Sequence, residues 1–278
     1  MTIALSGSSG FVGSYLYDYF EGLGYSIIAI DRDDFSSETQ MLEKISGADI
    51  IINLVGATIL KRWSRSYKEI LYSSRIETTN SIVKAINSSD REQIFISTSA
   101  IGIYENDTLC DEDNYTYGTS YLTDICRDWE IEAHKANARV SIFRLSLILG
   151  DGGALQKMLL PFKLGVGGII GDGTQPLSFV HISDLARAYE WVIKEPHAKG
   201  LFNLSTPQPT TNYHFTQVLA TKLNRPAFIP LPAFILKALL GEGATILIDG
   251  QRVYPKRLLE SGFEFEFQGI EEVLEDLI

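Results

Sequence analysis

Apolar residues along the chain gather in short runs, separated by stretches where they recur every three to four positions. Thr2–Ser6 is a short apolar run that leads into glycine, and Tyr25–Ile30 is a second. Asp49-Ile50-Ile51-Ile52-Asn53-Leu54-Val55 makes a third, Gln93–Thr98 a fourth and Arg139–Leu145 a fifth. Between the first two, Phe11, Val12, Tyr15, Leu16, Tyr19, Phe20 and Leu23 form a helical stripe that Gly24 closes. Continuous β-branched runs alternating with such stripes predict parallel strands covered on both faces. The expected fold class is α/β: a doubly wound, Rossmann-type parallel sheet with a smaller, mainly helical C-terminal domain.

After Leu149 the rhythm changes. Gly150 to Gly173 is rich in glycine around a short amphipathic piece, Leu155–Leu164, which predicts loop and lid material. Regular signals return at Ser178–His181 and in a helix over about Asp184–Lys194, which Asp184 or Ser183 would cap. A last segment from Thr211 carries helical patterns and a Pro-punctuated stretch, Arg225 to Pro232. The expected organisation is a nucleotide-binding domain over 1–150, rejoined by 178–205, and a substrate-covering domain over 151–177 and 206–278.

The glycine turn narrows the chemistry. Gly7-Ser8-Ser9-Gly10-Phe11-Val12-Gly13 reads G-x-x-G-x-x-G between the first strand and the first helix. Glycine there permits a tight turn, close approach of backbone to a pyrophosphate, and packing of helix on strand. Free N–H groups at the helix start would receive the phosphates. Gly7, Ser9, Gly10, Phe11, Val12 and Gly13 are therefore candidate cofactor contacts. The second strand ends in Asp31-Arg32, and the two residues argue in opposite directions. Asp31 would accept hydrogen bonds from ribose hydroxyls and select NAD, whereas Arg32 would clamp a 2′-phosphate and select NADP.

Charge bounds the partners. Lys and Arg number 24 against 35 Asp and Glu, a net charge of −11, which argues against nucleic acid as the main partner. It leaves room for a small anionic molecule at a local cationic cluster. Two cysteines, Cys110 and Cys126, make no disulfide framework, and no Cys/His pattern has metal spacing, so no metal site is expected. The chain enters its first strand with no leader-like segment, and Leu231–Leu240, interrupted by Lys237, is too short to span a bilayer. A cytoplasmic protein taking a small-molecule substrate, without nucleic acid or membrane, is expected.

With these motifs the chain resembles the extended short-chain dehydrogenase/reductase superfamily, and within it the atypical "epimerase family protein" branch, which is sugar-nucleotide epimerase-like. The resemblance is carried by Asn53-Leu54-Val55-Gly56-Ala57, by Ser74-Arg75 with Thr78-Thr79, and by Ser97-Thr98-Ser99-Ala100-Ile101-Gly102-Ile103-Tyr104. Cys126-Arg127-Asp128-Trp129-Glu130, Gly152-Gly153-Ala154-Leu155, Ser178-Phe179-Val180-His181 and the C-terminal Gly250-Gln251-Arg252-Val253 with Arg257-Leu258-Leu259 extend it over the whole chain. It implies NADP, bound through an arginine at the position of Arg32; Asp31 departs from that pattern and keeps NAD in play. The backbone of Asn53, Val55 and Gly56, at the end of the third strand, would pass under the adenine-ribose side of the cofactor.

The resemblance further implies a Ser, a Tyr and a Lys in the arrangement Tyr-x-x-x-Lys, one helical turn apart, so that the ammonium lowers the phenol pKa. Ser99 matches the serine and Tyr121 the tyrosine, but position 125 is isoleucine. A free phenol has a pKa near ~10, so only about a thousandth is ionised at neutral pH. Tyr104 is a rival acid or base. Arg62 and Arg75, with neighbouring Lys61 and Arg65, form a basic cluster for an anionic substrate, and Lys163, Arg252 and Lys256 are further candidates. The expected function is a nicotinamide-dependent oxidoreductase or epimerase acting on a small hydroxylated molecule. The competing expectation, motivated by Ile125, is a non-catalytic NAD(P)H-binding sensor or scaffold.

Overall fold

The computed structural model describes every residue except Phe228, so the stretch Arg225–Pro232 is described apart from that position. Its principal strands are β1 (Thr2–Ser6), β2 (Ser26–Ile30), β3 (Ile50–Asn53), β4 (Ile94–Ala100), β5 (Arg139–Leu145), β6 (Leu147–Leu149), β7 (Phe179–His181) and β8 (Gly200–Leu204). Six of them form one sheet in the order β8-β5-β4-β3-β1-β2. Every neighbouring pair in it is parallel. β6 and β7 pair separately, also parallel. The pattern of apolar runs predicted five of the sheet strands. The sixth, β8, is Gly200-Leu201-Phe202-Asn203-Leu204, its apolar positions opened by a glycine and interrupted by Asn203, which is why no run marked it.

The principal helices are α1 (Phe11–Gly22), α2 (Glu38–Ser46), α3 (Arg65–Asn87), α4 (Tyr121–Ala133), α5 (Gly153–Lys163), α6 (Ile182–Lys194), α7 (Asn212–Lys222), α8 (Ala233–Leu240) and α9 (Ile270–Leu277). Because side chains alternate across a strand, successive residues of each apolar run serve two cores. Ile3, Leu5, Ile50, Ile52, Ile96 and Phe143 face Leu16 and Phe20 of α1 and Leu185, Tyr189 and Val192 of α6. Ala4, Ile51, Phe95 and Ile142 face Met41 and Ile45 of α2, Ile82 and Ile86 of α3, and Ala133 of α4. Each fully buried Ile, Leu or Phe contributes roughly 2 kcal/mol of transfer free energy, so continuous rather than alternating hydrophobicity is required.

A third core gathers Leu155 and Phe162 of α5, Phe215 and Leu219 of α7, and Ile270, Val273 and Leu274 of α9. Leu258, Phe263 and Phe265 return to the α1/α6 core, tying the C-terminal segment to the sheet. The start of α6 corrects the expected cap. His181 is the N-cap, its Nδ1 accepting from the Ser183 N–H at 3.2 Å. Asp184 is thereby left to accept from the N–H groups of Glu266 and Phe267, both at 2.9 Å.

From β1 the chain runs outward to β2 and then crosses back to β3 on the other side of β1. The β1/β3 boundary is thus the point where strand order reverses, and ligands of open α/β sheets bind outside the carboxyl ends of strands there. Among the described residues no helix is long and apolar enough to cross a membrane. Among them, too, no group of three or more His, Cys, Asp and Glu is placed to hold a metal ion, and both cysteines are free and buried.

Candidate functional site

At the switch point the glycine turn joins β1 to α1. Gly7 sits at φ +75°, and a Cβ there would stand 3.3 Å from the Leu54 carbonyl. At Gly13 a Cβ would stand 2.1 Å from the Gly7 oxygen, so α1 packs on the turn only because that atom is missing. Gly10 is different: a Cβ would meet the Gly7 oxygen at 3.3 Å and nothing else within contact range. α1 has no side-chain N-cap bond and no acidic residue in its first turn, so its leading N–H groups and positive dipole end face the opening. Ser9 and Gly10 are exposed beside it, and Val12 is half-buried.

The Phe11 ring turns toward the loop after β6. A Cβ on Gly150, Gly152 or Gly153 would fall 2.9, 2.8 or 2.6 Å from that ring. The glycines there, expected as lid material, are the seat of Phe11.

At the end of β2, Asp31 and Arg32 are both exposed, and neither makes an ion pair among the described residues. The turn behind them is fixed by Asp34, which accepts from the Asp31 N–H at 2.6 Å and pairs with Lys44 at 2.6 Å. Both candidate discriminators are therefore presented side by side on a rigid support.

At the end of β3, the Asn53 side chain is fully buried and spent on internal bonds. Its Oδ1 accepts from Ser6 Oγ at 2.8 Å, and its Nδ2 donates to Thr79 Oγ1 at 2.8 Å. Trp129 Nε1 donates to the same Thr79 oxygen at 2.9 Å. The cleft surface is carried instead by Val55 and Gly56. Ser74 and Arg75 of α3 pin the following loop: Ser74 Oγ accepts from the Ala57 N–H at 3.0 Å, and Arg75 donates to the Ala57 carbonyl at 3.0 Å. Ser74, Arg75 and Thr79 of the two motifs thus share the task of holding the end of β3, while Thr78 bonds back to its own helix.

At the end of β4, Ser99 and Tyr104 are joined by one buried polar network. Ser99 Oγ donates to Glu130 at 2.7 Å, and Arg144 clasps that carboxylate through Nε and Nη2 at 2.8 and 2.7 Å. Arg144 also donates to the Tyr104 hydroxyl at 2.8 Å, which in turn donates to Asn203 at 2.5 Å. Asn203 donates through its N–H to Glu112 and through Nδ2 to the Tyr254 carbonyl. Burial lowers Arg144, but the Glu130 carboxylate more than offsets this and leaves its pKa above the usual value. Burial raises Tyr104, which is 1% exposed and so is held protonated in the interior. Sequence reasoning did not single out Arg144, Glu112 or Asn203. An arginine in the middle of the β5 apolar run was the available signal.

The tyrosine match falls on a different helix face. Tyr121 lines the groove between α3 and α4 with Ser66, Glu69, Ile70, Tyr72, Ser73 and Glu77. Its hydroxyl donates to the Lys68 carbonyl at 2.9 Å. The Lys68 ammonium lies 4.9 Å from its ring centre and pairs with Glu242. Burial raises the phenol pKa more than Lys68 lowers it. Ile125 is 1% exposed, packed with Trp63 and Leu71. The side chains one turn apart that pack under the end of β4 are Leu122 and Cys126, one residue further on; a Cβ on Gly102 would fall 2.4 Å from Leu122. Burial pushes the Cys126 thiol up to about 12. The structure therefore joins Ser99 to Tyr104 through Glu130 and Arg144, and turns Tyr121 elsewhere.

The basic candidates are dispersed. Arg62 donates to the Ala238 carbonyl at 2.6 Å, near the end of α8. Lys61 lies over the Tyr67 ring and Arg65 faces Glu69. Lys256 pairs with Asp113 at 2.8 Å. Lys163, in the last turn of α5, and Arg252 are exposed. Arg75 alone of the set is buried against the cleft, donating to the carbonyls of Leu71 and Ala57, and burial lowers its pKa.

A parallel sheet with a glycine turn and an uncapped helix start at its switch point defines a dinucleotide-binding α/β architecture. The comparisons narrow it. The family model described as NAD dependent epimerase/dehydratase family matches residues 3–205, and a domain of unknown function, DUF1731, matches residues 231–277. The chain belongs to the NAD dependent epimerase/dehydratase family. It is 35% identical over 99% of its length to the chloroplastic epimerase family protein SDR39U1 homolog of Arabidopsis thaliana, covering 86% of that protein. The crystal structure of human epimerase family protein SDR39U1 (isoform 2) with NADPH superposes with a TM-score of 0.90 at 28% identity, covering 100% of this chain and 99% of that one. The nucleoside-diphosphate sugar epimerase of Corynebacterium glutamicum superposes with a TM-score of 0.81 at 26% identity, over 99% of this chain and 57% of that one.

Proposed function

We propose that this protein binds a nicotinamide dinucleotide, NADP(H) in preference to NAD(H), and acts as an oxidoreductase or epimerase on a small hydroxylated molecule of the nucleotide-sugar class. The observation that carries this is the turn Gly7–Gly13, whose only unfilled glycine, Gly10, opens directly before the uncapped start of α1. A diphosphate would take that opening, held by Gly7, Ser9, Gly10, Phe11, Val12 and Gly13, with Val55 and Gly56 as the adjoining floor. The human relative solved with NADPH and the exposed guanidinium of Arg32, which pairs with no carboxylate among the described residues, support the choice of NADP(H). The Corynebacterium protein's name supports the substrate class.

When bound, the nicotinamide supplies a hydride donor or acceptor; the protein's part is to orient a substrate oxygen beside it and manage its proton. Ser99 donates its hydrogen bond to the Glu130 carboxylate, which leaves the Oγ lone pairs to accept from a substrate hydroxyl that would have to reach it at the closed end of β4, where Ser99 is 1% exposed. Glu130 is fixed by Arg144, so this orientation does not drift.

Parallel calorimetric titrations of the nucleotide-stripped protein with NADPH and NADH test the reading. NADPH binds more tightly, and Arg32→Ala weakens NADPH by tenfold or more, about 1.4 kcal/mol, while leaving NADH nearly unchanged. Failure of the folded protein to bind either dinucleotide overturns it.

One observation favours a second reading, a dinucleotide-binding sensor without chemistry. The hydroxyls of Ser99, Tyr104 and Tyr121 all donate to protein acceptors, and Ile125 is sealed in an apolar cluster. Under that reading no candidate substrate changes the nicotinamide absorbance, and Ser99→Ala leaves binding unaltered.

A further inference from the structure

Two arginines are deeply buried near the cleft, and the protein treats them differently. Arg144 is clasped by the Glu130 carboxylate. Arg75 is only 9% exposed, yet among the described residues no carboxylate lies within ion-pair distance of it. Its protein acceptors are two main-chain carbonyls, Leu71 at 3.1 Å and Ala57 at 3.0 Å, and its planar head lies 5.4 Å from the Trp129 ring. Burying a charge without a counter-ion costs several kcal/mol, so an uncompensated guanidinium calls for an explanation.

Its position supplies one. A Cβ on Gly56 would stand 3.0 Å from the guanidinium carbon and 3.2 Å from Nε, so the cation lies immediately behind the exposed backbone of the cleft. Along the carboxyl edge of the sheet the order is Asp31 and Arg32 on β2, the glycine turn on β1, Gly56 after β3, then Ser99 on β4. A dinucleotide with its adenosine at β2 and its diphosphate at β1 places its nicotinamide half on the β3–β4 side. Arg75, directly behind Gly56 after β3, is on that half, not on the adenine-ribose side that the sequence alone suggested for this segment. Cys126 of α4, which lies near it, is a buried thiol that its surroundings keep neutral.

We propose that Arg75 is a specificity-determining residue that makes the cleft distinguish reduced from oxidised nicotinamide dinucleotide. This rests on the dinucleotide reading above. The oxidised ring carries a positive charge and the reduced ring is neutral, so a fixed cation behind the floor of the nicotinamide half repels only the oxidised form. Because Arg75 is backed by protein and not by a carboxylate, its field is not cancelled locally, and the surrounding low dielectric screens it weakly. The site is thereby set to hold the reduced cofactor and release the oxidised one.

The test is calorimetric titration of the full-length, nucleotide-stripped protein with NADPH and with NADP⁺. Wild type and Arg75→Lys, Arg75→Met and Arg75→Gln variants are compared. Wild type binds NADPH about tenfold or more tighter than NADP⁺, the order expected for a single charge at an effective dielectric near 20. Arg75→Lys keeps the preference, while Arg75→Met and Arg75→Gln bring the ratio toward one, chiefly by tightening NADP⁺. If methionine disturbs the fold, glutamine, which retains a donor for the Ala57 carbonyl, gives the answer. A merely structural Arg75 changes both affinities by the same factor. An unaltered ratio in a folded neutral variant, or no preference in wild type, overturns the proposal while leaving dinucleotide binding intact. Absence of any binding to folded wild type instead overturns the dinucleotide reading and this proposal with it.

Discussion

Gly10→Ala and Gly13→Ala separate architecture from binding at the same turn. At Gly13 the added methyl would lie 2.1 Å from the Gly7 carbonyl oxygen and 2.8 Å from its carbon, both main-chain atoms. Relief requires α1 to move off β1, at a cost of about 3 kcal/mol, typical of severe overpacking. Alanine's better helix propensity returns at most ~1 kcal/mol. The net loss of about 2 kcal/mol lowers Tm by roughly 4–8 °C for a chain of this size. At Gly10 the backbone is extended, φ −80° and ψ 168°, and the only close neighbour of a Cβ is the Gly7 oxygen at 3.3 Å, which yields with a shift of a few tenths of an ångström. Loss of a favourable N-cap costs about 0.5–1 kcal/mol, and reduced freedom of the unfolded chain offsets a similar amount, so Tm stays within about 2 °C. The same methyl occupies the approach to the first N–H groups of α1, and NADPH affinity falls by tenfold or more, about 1.4 kcal/mol. Thermal unfolding and calorimetric titration on both variants check this. NADPH affinity equal to wild type in Gly10→Ala would falsify the assignment of that opening to a diphosphate. Wild-type stability in Gly13→Ala would refute the steric argument.

Two further outcomes follow from buried groups. Ile125→Lys, which restores the residue at the expected spacing from Tyr121, places an ammonium among Trp63, Leu71 and Tyr121 and costs about 3 kcal/mol or more, read as a lower urea midpoint with no gain in turnover; a stable variant with new activity would show that the helix phase has been misjudged. His181 is packed on Phe267 at 4.0 Å and faces Asp276, Asp184 and Glu266, and burial lowers its pKa despite these carboxylates. The unfolded chain therefore takes up a proton before the folded one, so the His181 contribution is full above pH about 6.5 and is lost as pH falls through that value toward the folded pKa. Urea unfolding at pH 7.5 and 5.5 should show this decline in wild type and a smaller one in His181→Asn, which keeps an N-cap acceptor; parallel declines would remove His181 from the account.

The elements that the chain announces in advance are those governed by one periodicity at a time. Both cores of the sheet were legible because Ile50, Ile51 and Ile52 must each be apolar when successive side chains face opposite helices. The glycine turn was legible because its spacing answers to backbone geometry, and Gly7 and Gly13 meet that demand within a few ångströms. What the chain does not announce depends on phase or on distant partners. Spacing alone cannot say which of Tyr121 and Leu122 turns toward the end of β4; that is decided by how α4 docks, with Glu130 drawn to Arg144 and Trp129 to Thr79. Nor does it show that Asn203 and Glu112, ninety-one residues apart, complete one hydrogen-bonded chain with Tyr104.

This division explains why the missing lysine was visible as such, whereas Arg75 was read only as one member of a basic cluster. An absent residue in a local motif can be read at i and i+4, but Arg75 reaches the cleft from α3, behind Gly56, and its significance depends on having no carboxylate beside it. Arg144 shows what a neutralised buried arginine looks like here: bidentate to a carboxylate and closed off from the cleft surface. A fold that can neutralise one buried guanidinium so completely and leaves the other unpaired behind a glycine has kept the second charge available to whatever lies on the other side of that glycine.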